Sequence, residues 1–148
     1  MRVFIAIDIP QEKRKEIIKI QATLPEFKGK KTEQENQHLT LKFLGEINEK
    51  ELEIIKHTLS LIKVKQFETE IDVIGVFDPN LIRIIWLHMS NCDELQKEVD
   101  KKLASMFMPE NRFMSHLTIA RVKNVKDRSK FLKELEKTKF DKNKKPLG

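Results

Sequence analysis

His38-Leu39-Thr40-Leu41-Lys42-Phe43-Leu44-Gly45 has an echo late in the chain, Ser115-His116-Leu117-Thr118-Ile119-Ala120-Arg121-Val122. In both stretches a His is followed two positions later by a Thr, with aliphatic residues between and after. Side chains of a strand alternate between faces, so His38 and Thr40 share one face while Leu39 and Leu41 share the other. The same spacing joins His116 to Thr118 and sets Leu117 and Ile119 behind them. Two strands, each presenting an imidazole and a hydroxyl over an aliphatic backing, predict one site built from two histidines.

Working outward, Arg2 to Ile9 alternates and is closed by Pro10, a strand pattern. Gln11 to Leu24 places Ile17, Ile20 and Leu24 on one helical face and ends before Pro25. Glu26 to Gln37 is polar and charged and reads as a loop leading into the His38 strand. After Gly45, Asn48 and Glu51 form a capping-box pattern ahead of Leu52, Ile55, Leu59 and Ile62 at helical spacing. Phe67 to Phe77 alternates, and Asp78-Pro79-Asn80 turns it into Leu81 to His88 as a hairpin. Asn91 and Glu94 repeat the capping-box pattern before Leu95, Val99 and Leu103, which predict a helix reaching Phe107. A loop from Pro109 to Phe113 precedes the second His-x-Thr strand. A last helix, 126 to 137, turns Phe131, Leu132 and Leu135 inward, and the Lys-rich tail from Asp141 has no periodicity.

This order is a divergent duplication: strand, helix, His-x-Thr strand, helix, strand over residues 2–77, restarting at Leu81 and running to 140. The expected fold is α+β, one domain of two pseudo-twofold lobes whose antiparallel sheets flank a central cleft. The second copy stops one strand short of the first, which predicts an exposed sheet edge.

The chain has 148 residues, enough for one domain with a real core. Apolar residues make up 39% and charged residues 35%, the balance of a chain with a heavily charged surface. No apolar run approaches the roughly 20 residues that span a bilayer. The N-terminus lacks the pattern of a signal peptide, so a cytoplasmic location is expected. The single cysteine, Cys92, rules out an intrachain disulfide and a multi-cysteine zinc site. A net charge of +6 favours anionic partners such as RNA or nucleotides.

Imidazoles facing one another across a groove suit concerted acid–base chemistry, because His titrates near neutrality. One neutral ring could take a proton from water while a protonated one supplies a leaving oxygen; the residues alone leave open which does which. Thr40 and Thr118 are the natural donors to non-bridging oxygens of an anionic substrate. Neither motif carries Asp, Glu or a third His at ligand spacing, so no metal is expected. The chain also lacks a Gly-rich phosphate loop, a Gly-x-Ser-x-Gly elbow and a paired cysteine nucleophile. Lys42 continues the His38–Thr40 face and could reach a phosphate. Arg121 has the opposite parity from His116 and would point away unless a bulge re-aims it. His57 and His88, without Thr partners, read as surface or structural residues. Trp86 and Phe43 read as packing residues rather than base-stacking platforms.

Phe4-Ile5-Ala6-Ile7-Asp8, His38 to Gly45, Arg83-Ile84-Ile85-Trp86 and His116 to Val122 together resemble the 2H phosphoesterase superfamily. Within it the chain is most similar to the RNA 2′,3′-cyclic phosphodiesterases, also called 2′–5′ RNA ligases, over residues 2 to 125. The resemblance implies a bilobal α+β fold, no required cofactor, and hydrolysis of RNA 2′,3′-cyclic phosphates to 2′-phosphates. It implies His38 as proton donor to the leaving 3′-oxygen and His116 as the base that activates water. It also implies a substrate role for Arg121. Substrates would be RNA with cyclic phosphate ends, tRNA fragments among them, or small cyclic nucleotides; no obligate protein partner is inferred. Alternatives are 2′–5′ ligation of tRNA halves and a non-catalytic RNA- or nucleotide-binding module. The chain departs from the family in carrying Ala120 where members commonly have Gly, and members commonly continue as C-terminal strands.

Overall fold

Alternating aliphatic residues near the N-terminus form β1 (Arg2–Ile7), followed by helix α1 (Gln11–Ala22). A short strand β2 (Lys28–Lys31) and a single 3₁₀ turn (Gln34–Asn36) lead into β3 (Leu39–Glu46), helix α2 (Glu49–Ser60) and β4 (Ile71–Val76). Then come β5 (Ile84–Met89), α3 (Asp93–Lys102), β6 (His116–Asn124) and α4 (Arg128–Glu136). The structure, a computed structural model, describes residues 1–140; the Lys-rich tail lies outside the described residues.

The strands form two antiparallel sheets, β1-β3 and β2-β6-β5-β4. Each His-x-Thr strand pairs with the strand that begins its half of the chain: β3 with β1, β6 with β5. The aliphatic backs of these strands make the core. Leu39 and Leu41 from β3 join Leu117, Ile119 and Val122 from β6 and Ile85, Leu87 and Met89 from β5. Burying each such side chain stabilises the fold by roughly 1.5–3 kcal/mol over leaving it in water. The helices close this core with Ile17 and Ile20 of α1, Ile55 of α2, Val99 of α3, and Phe131 and Leu135 of α4. β3 and β6 approach each other at the middle of the molecule, so the two motifs meet across the junction of the sheets.

β1 pairs only with β3, leaving its other edge without a strand among the described residues. Behind it β1, β3, α2 and α3 border an apolar hollow of about 610 Å³, lined by Ile5, Ile7, Leu41, Phe67 and Leu95 among others. No helix of the described residues is long and apolar enough to cross a membrane.

Local signals explain some of the element boundaries. The Asn48 side chain accepts from the Glu51 N–H at 2.8 Å and Glu51 Oε1 accepts from the Asn48 N–H at 3.0 Å, a complete capping box at the start of α2. In the β4–β5 hairpin, Asp78 Oδ1 accepts from the Asn80 N–H at 2.9 Å.

Three expectations are corrected. The loop expected before His38 contains β2, whose Lys-Gly-Lys-Lys sequence is exposed throughout and shows no apolar alternation. β4 begins at Ile71 rather than Phe67. Asn91 does not cap α3: it sits at φ 63° and donates from its side chain to the Glu68 carbonyl at 2.8 Å, and the helix begins after Cys92.

Gly29 is where β2 can press onto β6. Its φ is +151°, and an added Cβ would lie 2.2 Å from the backbone oxygen of Arg121. Backbone cannot swing away as a side chain can. Gly29→Ala is therefore expected to destabilise the protein by about 2–4 kcal/mol, read as a fall in Tm.

Candidate active site

Both strands carrying the motifs contain the same irregularity at the same place. In the β1–β3 ladder Ile5 pairs with Lys42 and Ala6 with Thr40, skipping Leu41. In the β5–β6 ladder Ile85 pairs with Ala120 and Trp86 with Thr118, skipping Ile119. Each is a one-residue bulge immediately past the equivalent His-x-Thr. The bulge sends two consecutive residues inward, Leu41 with Lys42 and Ile119 with Ala120, and all four are buried. The next residues, Phe43 and Arg121, turn out to the surface that carries the histidines and threonines.

This geometry decides three assignments. Arg121, of the wrong parity in an even strand, lines the same groove as His38, Thr40, His116 and Thr118, a hollow of about 330 Å³. Phe43 is 72% exposed rather than a packing residue, its ring 5.9 Å from that of Phe4, which lies 5.9 Å from the His38 ring. Lys42 is turned inward at the position equivalent to buried Ala120, contrary to its expected parity, and still borders the groove from below.

Lys42 is 2% exposed, and its Nζ donates to Asp100 Oδ1 at 2.5 Å and to the Met108 carbonyl at 2.6 Å. Asp100 Oδ2 accepts in turn from Gln96 Nε2 at 2.8 Å and from the Glu110 N–H at 2.9 Å. Burial alone would raise the Asp100 carboxyl's pKa. The bond from Lys42, with those from Glu110 and Gln96, outweighs it and holds the carboxyl below the ordinary carboxylate range. This network ties β3 through α3 to the chain at 108–110, which continues into Arg112, Phe113 and Met114 on the rim of the groove. Arg112 is a groove residue that sequence reasoning missed; a loop arginine ahead of the motif is the only signal that could have marked it.

His116 is oriented by its own chain. Its Nδ1 lies 2.9 Å from the Met114 carbonyl, and because a carbonyl only accepts, Nδ1 carries the hydrogen. Nε2 is left for another partner. The Phe77 ring meets the His116 ring edge-on at 5.1 Å, fixing its plane. Leu117 behind it is fully buried. His38, anchored by buried Leu39, makes no hydrogen bond within the described residues and rests against Phe4. His57 and His88 lie outside the groove, and among the described residues no group of three or more His, Cys, Asp or Glu is placed to hold a metal ion.

Two sheets thus meet at a groove that takes a His and a Thr from each side. The family model described as LigT-like phosphoesterase matches residues 7–86, and the chain belongs to that family. It is 41% identical over 145 residues to the RNA 2′,3′-cyclic phosphodiesterase of Methanocaldococcus jannaschii, a match covering 94% of this chain and 82% of that protein. Among solved structures it is similar to TT0787 of Thermus thermophilus, with a TM-score of 0.72, 26% identity, and coverage of 86% of this chain and 77% of that one. It is also similar to E. coli LigT complexed with 3′-AMP, with a TM-score of 0.67, 28% identity, and coverage of 81% and 71%.

Proposed function

We propose that this protein hydrolyses 2′,3′-cyclic phosphate ends of RNA to 2′-phosphates by acid–base catalysis between His38 and His116. The observation that carries the reading is the single groove lined by both His-x-Thr pairs and Arg121. The name of the Methanocaldococcus relative supports the substrate, and the 3′-AMP complex of E. coli LigT supports a nucleotide as ligand.

In this mechanism His116 Nε2 takes a proton from water as the water oxygen attacks phosphorus. The bond from phosphorus to the 3′-oxygen breaks, and His38 delivers a proton to that oxygen. The 2′-oxygen keeps the phosphate. Thr40 and Thr118 donate to the non-bridging oxygens, and Arg121 offsets the charge that builds on them. Lys42, committed to Asp100, positions the strand and the rim loop instead of contacting substrate. The exposed Phe4–Phe43 pair beside His38 gives the terminal base an apolar face to stack on.

The test is incubation with an oligoribonucleotide ending in a 2′,3′-cyclic phosphate, in the presence of a chelator. The expected product carries a 2′-phosphate. A joined 2′–5′ product with an added 5′-hydroxyl RNA would instead identify ligation, and binding without turnover would identify a non-catalytic module.

A further inference from the structure

The groove face of the larger sheet does not stop at His116. Two more strands continue it, and their cross-strand neighbours form an ordered surface. His88 of β5 is the direct partner of His116, and Trp86 is the partner of Thr118. The flanking Met89 N–H bonds to the Ser115 carbonyl, so His88 and His116 form a narrow pair without ladder bonds between them. Their side chains stand side by side on one face. Trp86 lies over Gly75 of β4, where an added Cβ would come within 2.8 Å of the indole. Phe77 links the two parts, 5.6 Å from the Trp86 ring and 5.1 Å from His116.

His88 itself is held in a defined way. β4 skips a residue between Ile71 and Val73, and the extra residue is Asp72. The bulge aims its carboxylate at His88, with Oδ1 2.6 Å from Nδ1. A carboxylate accepts, so Nδ1 carries the hydrogen and Nε2 remains for another partner. The His88 side chain is 31% exposed, open enough to meet a ligand lying on the sheet.

We propose that His88, oriented by Asp72, reads the ribose 2′-hydroxyl of the nucleotide immediately 5′ of the reacting one. This rests on the phosphodiesterase reading above and adds a second subsite to it. The subsite lies one strand spacing, about 4.8 Å, beyond His116, along the only sheet face among the described residues that continues past a motif strand by two strands. The chemistry favours a hydroxyl over a phosphate. The Asp72 carboxylate would repel an anion at this position, whereas a 2′-hydroxyl both donates and accepts and so satisfies Nε2 with or without its proton. Trp86 and Phe77 give the attached base an apolar surface.

The experiment compares two dinucleotides ending in the same 2′,3′-cyclic phosphate, one all-ribose and one with a single 2′-deoxy sugar at the 5′ nucleotide. The wild-type protein is expected to show a kcat/KM about fivefold higher for the all-ribose substrate, the scale of one hydrogen bond. His88→Phe is expected to bring the ratio of the two rates to about one, and Asp72→Ala, which frees the ring to turn, to lower it in part. A merely structural His88 would slow both substrates alike and leave the ratio standing. Equal rates in the wild type, or a preference that survives His88→Phe, overturn the assignment while leaving the phosphodiesterase intact. Hydrolysis of neither substrate overturns both.

Discussion

Replacing His116 by Ala is expected to lower kcat/KM on an RNA 2′,3′-cyclic phosphate by about 10²-fold or more, the scale of general acid–base catalysis. Folding should be little affected, because the anchors of that strand are Leu117 and Ile119, both fully buried, whereas the imidazole stands at the groove. His38→Ala is expected to cost as much. The double variant should cost less than the product of the two, since the proposed acid and base would act on one transition state. With one ring needed neutral and the other protonated, the wild-type rate should trace a bell against pH. A flat profile would remove the paired roles. The two roles separate with a cyclic phosphodiester whose leaving group departs without a proton. His38→Ala should recover most of its rate on that substrate and His116→Ala should not; the reverse pattern would exchange the assignments.

The second large effect is on stability and comes from Asp100. Asp100→Ala strips the carboxylate from an ammonium that is 2% exposed, and the Glu110 N–H loses its acceptor as well. Breaking a buried pair by removing one partner costs about 3–5 kcal/mol. In a chain of this length that corresponds to a Tm lower by about 10 °C or more in a thermal melt. Activity should fall too at temperatures where the fold survives, because the chain at 108–110 leads to the groove rim. The pH dependence has a definite sign. The folded-state carboxyl lies below its unfolded value, so its contribution is fully present above the unfolded value of about 3.9 and is lost as pH falls through the folded one. Wild type should therefore lose stability more steeply than Asp100→Ala below about pH 4. Parallel acid limbs would show that the pair contributes little. Replacing the pair with apolar residues, Lys42→Met with Asp100→Leu, should restore much of the lost stability, since charge isolation and not lost packing is the main cost.

What the sequence by itself determined is the part governed by local periodicity. The two-residue alternation of His38-Leu39-Thr40 and His116-Leu117-Thr118 sets imidazole and hydroxyl on one face of a strand with leucine behind, and the structure keeps it because the aliphatic face must leave water. The Asn48–Glu51 cap and the Asp78 turn were legible for the same reason, each being a bond between residues a few positions apart. β2 was not legible: exposed Lys-Gly-Lys-Lys has no apolar face, and it is a strand only because β6 offers an edge that Gly29 can approach. Asn91 carried a capping pattern that a longer-range bond to Glu68 overrode.

The tertiary structure alone decided who joins the histidines. A bulge in each motif strand inverts the parity beyond it, and a bulge is a property of the ladder with a partner strand. Lys42, in line with Thr40 by count, is thereby turned under the groove to Asp100, a residue of another element far along the chain. Arg121 and Phe43, out of line by count, are turned toward the groove. The pairing of His88 with His116 likewise exists only across strands, where the register of β5 on β6 sets side by side two residues that the chain keeps far apart.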